Sequence, residues 1–197
     1  MQTVTFDSNV WEKIVKKETK EHEYIYNQIS LGNIRAYISE IAISLESLKK
    51  KERLGFMRNY KPNITIEDVN INQETGTIHQ RLCFSPNLEA HLGLYSKLKE
   101  SLILAQKLGF MILPMTNLGT VRSPEIPEEM KEEIADFWDY AEKLNECSKF
   151  ISDMRCGSFK YFSFKNSMLT DPRIEINEKE FSKAIAEWVD GEMLSAH

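Results

Sequence analysis

The sequence predicts a mixed α/β fold with a mainly parallel sheet, and three observations carry that reading. Short β-branched runs alternate with stretches of helical spacing. Strands in such alternation connect through right-handed helical crossovers, which makes the sheet parallel. The chain has 197 residues, is 42% hydrophobic and contains only 8 Gly and 6 Pro, enough for one full core and too little for two independent domains.

Taken in order, residues 3–6 (TVTF) form a first strand that ends at Asp7, and Val10, Trp11, Ile14 and Val15 then fall on one helical face. A second helix runs through Tyr24, Ile25, Gln28 and Ile29 and stops at Gly32. Residues 34–38 read as a second strand. Ser39 offers an N-cap for a helix carrying Ile41, Leu45 and Leu48, which is expected to dissolve into the basic run Lys49, Lys50, Lys51 and Arg53. Residues 64–71 and 77–84 flank a turn cluster and read as a β-hairpin. Asn87 is expected to cap a long helix through Leu88, Leu92, Tyr95, Leu98, Leu102, Ala105 and Leu108. Residues 110–115 then form a third strand, placed at a sheet edge because Pro114 cannot donate to a ladder. Pro127 suits the first turn of a helix through Ile134, Phe137, Trp138, Ala141 and Leu144, ending near Gly157. Residues 158–176 read as irregular, and Asn177 with Glu180 resembles a capping box for a last helix over 178–194.

Composition narrows the function classes. A net charge of -5 gives no general attraction to nucleic acid, so any RNA-binding surface is local. The N-terminus lacks a basic stretch followed by an apolar run, and the longest apolar region, 102–115, is broken by Gln106, Lys107 and Pro114. The expectation is a cytoplasmic protein with no membrane association. Cys83, Cys147 and Cys156 have no CxxC spacing and read as buried thiols in a reducing compartment rather than zinc ligands or disulfides. The four histidines share no metal-ligand spacing, and no GxGxxG, Walker, GxSxG or HExxH motif is present.

In parallel sheets, ligands bind at the carboxyl ends of the strands, which singles out Asp7. Asn9, two residues on, orients that carboxylate or caps the following helix. The plainer alternative is that Asp7 is itself the cap. In the last helix, Phe181, Ile185 and Trp188 form one apolar stripe and Ala186, Val189 and Met193 another around Asp190. A carboxylate so placed needs a metal or an ion-pair partner. The run Lys49, Lys50, Lys51, Arg53, Arg58 and Lys61, interleaved with Phe56 and Tyr60, either tracks a phosphate backbone or is a solvated helix end. Lys50 and Arg53, with Asn9, are the substrate-binding candidates.

Three segments resemble PIN domains, a family of metal-dependent ribonucleases: the opening VTFDSNVW, the stretch ISEIAISLE and the closing EWVDGEMLSAH. The resemblance implies a PIN-like three-layer sandwich over 1–197 as a single domain, with insertions at about 63–84 and 116–177. It implies catalytic, metal-binding acids at Asp7, Glu46 and Asp190, with Glu40 as the competing second acid. Such a cluster suits magnesium or manganese, hard cations that take oxygen ligands and activate water. RNA is the implied substrate, and in the toxin-type form an antitoxin is a protein partner. The family's usual further strand with a T-x-D-like fourth acid is not found before His197, a C-terminal truncation relative to the family pattern. The first strand is therefore expected to be covered by an inserted helix or by a second copy in a homodimer. Activity is expected to be weakened or lost, and the alternative function is a non-catalytic protein- or RNA-binding module.

Overall fold

The computed structural model describes residues 1–46, 48, 50–72, 77–85, 87, 94, 96–114, 125–171 and 173–196. The chain begins with β1 (Gln2–Phe6), α1 (Ser8–Lys16), α2 (Lys20–Ser30), β2 (Ile34–Ser39) and α3 (Glu40–Glu46). Next come α4 (Lys50–Asn59), the strands β3 (Asn63–Asn72) and β4 (Thr77–Ser85), α5 (Ser96–Leu108) and β5 (Met111–Leu113). The last part is helical: α6 (Phe137–Asp153), α7 (Ser158–Thr170) and α8 (Glu178–Ala196). The fold is thus mixed α/β. Its sheet is parallel, three-stranded and ordered β1-β2-β5, while β3 and β4 pair separately as an antiparallel hairpin.

Local chemistry explains most boundaries. The Asp7 carbonyl accepts from Val10 N at 2.9 Å and Trp11 N at 3.2 Å, so the strand turns at once into α1, whose Trp11, Ile14 and Val15 are buried. Gly32 closes α2 at φ +73, a left-handed conformation that other residues adopt at a cost. Asn177 caps α8 as expected, its Oδ1 accepting from Lys179 N at 3.0 Å and Glu180 N at 3.3 Å. β5 does lie at an edge. Beyond it stands an isolated bridge from Ile112 to Lys131, secured by Glu132 N donating to the Ile112 carbonyl at 2.9 Å and by an Arg35–Glu132 ion pair at 2.6 Å.

Five expectations are corrected. Cys147 and Cys156 are exposed rather than buried, the first on α6 and the second in the turn before α7, while the side chain of Cys83 lies outside the described residues. The third helix does not dissolve into the basic run: α3 ends at Glu46, and Lys50, Lys51 and Arg53 belong to a separate helix, α4, whose Met57 is buried, while Lys49 lies outside the described residues. Pro127 opens only the 3₁₀ turn Glu128–Met130, because the following segment is drawn alongside β5. α6 starts instead at Asp136, whose side chain accepts from Asp139 N at 3.0 Å. Residues 158–170 are helical rather than irregular. Leu94 is not helical, so α5 starts at Ser96 rather than at Asn87; residues 88–93 and 95 of the expected long helix lie outside the described residues.

Two hydrophobic cores result. One gathers Phe6, Ile38 and Ile112 of the sheet with Trp11 and Ile14 of α1 and Leu98 and Leu102 of α5. The other gathers Met57, Leu144, Tyr161, Phe181, Ile185 and Trp188 from the helices. α3 divides its faces between them, Ala42 and Ile43 to the first and Ile41 and Leu45 to the second. The turn into α7 packs against α8 through two glycines. A Cβ on Gly191 would come within 2.8 Å of the Gly157 Cα, so only glycine permits that approach. Among the described residues, no helix is long and apolar enough to cross a membrane.

Candidate functional site

The strand-end rule puts the site where the two cores meet. Phe6 pairs with Ile38, so Asp7 leaves the sheet level with the end of β2. The cavity there is about 250 Å³, lined by Asp7 and Asn9 after β1, Ala42 and Leu45 of α3, Arg53 and Leu54 of α4, and Ser182, Ile185, Ala186, Val189 and Asp190 of α8. Asp7, Asn9, Arg53 and Asp190 therefore share one cavity, although 183 positions separate the two aspartates.

The other expected residues are placed differently. Glu46 is the last residue of α3, four positions after the cavity-lining Ala42; its side chain lies outside the described residues, as does that of Lys50, which opens α4. Glu40, the competing second acid, is 2% exposed and is not among the cavity-lining residues. It acts instead on Tyr140, whose hydroxyl is pushed up to about 12 by burial and then by the Glu40 charge, and which donates to the Pro114 carbonyl at 3.1 Å. The aromatic residues of the basic run are structural: Phe56 and Tyr60 stack at 5.6 Å and Tyr60 is buried. Ser182 was not singled out from the sequence, yet Ser182, Ala186 and Asp190 recur every four residues, the spacing of one helix face.

Electrostatics ties the aspartates together. The Asp190 carboxyl is raised above the usual aspartate range by partial desolvation in the cavity wall, then by the negative charge of Asp7, then by Glu187. Glu187 is itself held by Lys160 at 2.8 Å. Two carboxylates and the Asn9 amide around one cavity form a hard oxygen donor set. A divalent cation bound there would offset the repulsion between Asp7 and Asp190, which is the second cause of the Asp190 shift after desolvation. Among the described residues, no group of three or more His, Cys, Asp or Glu side chains is arranged to hold a metal ion.

Cation affinity is accordingly expected to be weak, in the millimolar range or about -4 kcal/mol. Because a proton competes for the raised Asp190 carboxyl, affinity falls as pH drops toward and through its pKa. Calorimetric titration of Mn²⁺ at about pH 7 and about pH 5 checks this against the ordinary aspartate range. Tight, pH-independent binding that survives Asp7→Asn would place the cation elsewhere.

Comparison with family models, with curated proteins and with solved structures finds no match for this chain.

Proposed function

We propose that this chain is a PIN-like, magnesium- or manganese-dependent ribonuclease of weakened activity, built as a PIN-like three-layer sandwich, with Asp7 and Asp190 as its cation-binding carboxylates. The observation that carries this reading is the shared cavity, in which acids from opposite ends of the chain meet at the carboxyl end of β1 with Arg53 facing the same space. Glu46 joins them as the third acid on the motif's resemblance. Once bound, the cation would supply Lewis-acid stabilisation of phosphoryl charge and a more acidic water.

The chain's own groups account for the rest. Asp7 and Asp190 hold negative charge where the cation binds, and Asn9 orients by hydrogen bonding. The Arg53 guanidinium, planar and always charged, recognises a phosphate oxygen pair along the same strand of nucleic acid. Leu45, Leu54, Ile185 and Val189 supply the apolar part of the cavity wall beside these polar groups.

A fluorogenic single-stranded RNA incubated with Mn²⁺ tests the proposal. Slow cleavage is expected, reduced by on the order of a hundredfold or more in Asp7→Asn and in Asp190→Asn, since cation stabilisation is worth several kcal/mol. Cleavage unchanged in both variants would overturn the assignment. RNA binding without cleavage would support the second reading, a non-catalytic RNA-binding module, which the presence of only two described carboxylates in the cavity favours.

A further inference from the structure

We propose that α7 is a strut that fixes the span between the acidic and the cationic walls of the cavity, with Lys165 as a positioning residue for Arg53. Arg53 and Asp190 stand on different helices, α4 and α8. Among the described side chains of α4, Met57 is fully buried while Arg53, Leu54 and Phe56 are half-buried, and Gly55 inside the helix adds no side chain to the packing. Its C-terminal end is secured from α7. The Tyr161 hydroxyl donates to the Met57 carbonyl at 3.1 Å, and Lys165 Nζ donates to the Arg58 carbonyl at 2.7 Å and the Tyr60 carbonyl at 3.2 Å.

These are carbonyls at the end of a helix, where intrahelical donors run out, and an ammonium there also complements the negative end of the helix dipole. Burial, and then the charge of Lys61, pull the Lys165 ammonium down from its ordinary pKa, so this half-buried group gives up part of its hydration to these acceptors. At its other end, α7 is seated beside Asp190. Gly157 meets Gly191, the residue after Asp190, and the Tyr161 ring stacks on Trp188 with centroids 4.8 Å apart and planes within 10°. One 13-residue helix thus touches α8 next to the acid and α4 five residues past the arginine.

The consequence for a ligand rests on reading the cavity as a phosphodiester site. A strand held at a cation on Asp7 and Asp190 can reach Arg53 with another phosphate oxygen only if α4 keeps its distance from α8. α4 meets α8 directly, through Met57 in the shared core and an Arg58–Glu178 ion pair at 3.9 Å, and α7 adds the hydrogen bonds that hold the last turn of α4 in that place. Lys165 touches no reacting atom, so its loss should alter substrate affinity while leaving the acids as they are.

The test compares full-length wild type, Lys165→Met and Lys165→Arg by two measurements. Hydrogen exchange of the α4 amides reports capping. Affinity for a fluorescein-labelled single-stranded oligoribonucleotide in Ca²⁺, another oxygen-seeking divalent cation, reports the site. Loss of the part-buried charged hydrogen bonds in Lys165→Met is expected to speed exchange in the last turns of α4 and to weaken oligonucleotide binding, each by about tenfold. Mn²⁺ affinity should not change, and Lys165→Arg should restore most of both losses. Unchanged α4 exchange, or faster exchange with unchanged oligonucleotide affinity, would overturn the proposal. Wild type that fails to bind the oligonucleotide, while α4 exchange still responds to Lys165→Met, would defeat both the functional reading and Lys165's part in it, leaving only a helix cap.

Discussion

Trp188→Ala is expected to lower the unfolding free energy by about 3 to 5 kcal/mol, the range for removing a buried large aromatic side chain. Trp188 is 4% exposed, stacks on Tyr161, meets the Phe162 ring edge-on at 6.2 Å and belongs to the core built from α4, α6, α7 and α8. Aromatic pairs contribute beyond their buried area, and this ring serves two. Its Nε1–H also donates to Glu192 Oε1 at 3.0 Å, so the alanine variant strips a buried carboxyl of a donor as well. Against a typical domain stability of about 5 to 15 kcal/mol this is a large share. Urea unfolding checks it, and the matching fall in Tm is roughly 6 to 20 °C for a domain of this size. Trp188→Phe keeps the stack and loses the donor, so it should cost about 1 to 3 kcal/mol. A loss below about 1 kcal/mol in the alanine variant would show that the stack does not hold the helical core together.

The second large effect is a dependence of stability on pH through Glu192. Its carboxyl is 2% exposed and pushed up to about 7 by burial, although the hydrogen bonds from Trp188 and from Ser148 Oγ at 3.3 Å pull the other way. Those two groups, one on its own helix and one on α6, carry no charge, and among the described residues Oε2 has no partner. A carboxyl whose folded pKa lies above its unfolded value stabilises the fold when protonated. The contribution is complete below about pH 4.5 and fades as pH rises to about 7. Over that window the difference is about 3 kcal/mol, at 1.36 kcal/mol per pH unit. Glu192→Gln mimics the protonated form. It should remove this component of the pH dependence and stabilise the protein at about pH 8.5 by on the order of 2 to 3 kcal/mol. Thermal unfolding of both proteins at about pH 5.5 and 8.5 decides it, and parallel Tm changes with pH would mean that Glu192 ionises freely. Trp188 and Glu192 share a hydrogen bond, so their effects will not add, and the double variant measures the coupling.

The legible parts of the sequence were those with local causes. β1 and β2 show as β-branched runs, the hairpin as two runs across a turn cluster, and β5's edge position as a proline; α8 is announced by its Asn177 cap. α4 and α7 were not legible, because their order is set by each other. α7 scatters Phe159, Tyr161, Phe162 and Phe164 around its circumference, which follows no single stripe, and α4 is completed by donors that arrive from α7. In the site, Asp7, Asn9 and Asp190 could be named because strand ends and short motifs mark them. Arg53 was named for its charge, but its route to the cavity on a separate helix was hidden once the basic run was read as a fraying end. Glu192 offered no signal. Two residues from Asp190 it looks like another solvated acid, and it is buried only because α6 lies over α8.

The seam between the two cores has a mechanical meaning. Asp7 is anchored through β1 in the sheet's core and Asp190 through α8 in the helical core, with α3 divided between them. Packed units of this kind can open as separate cooperative blocks. An ion gripped by both aspartates would act as a rivet across the joint, turning two partly independent folding units into one and stabilising the assembled chain in proportion to its saturation.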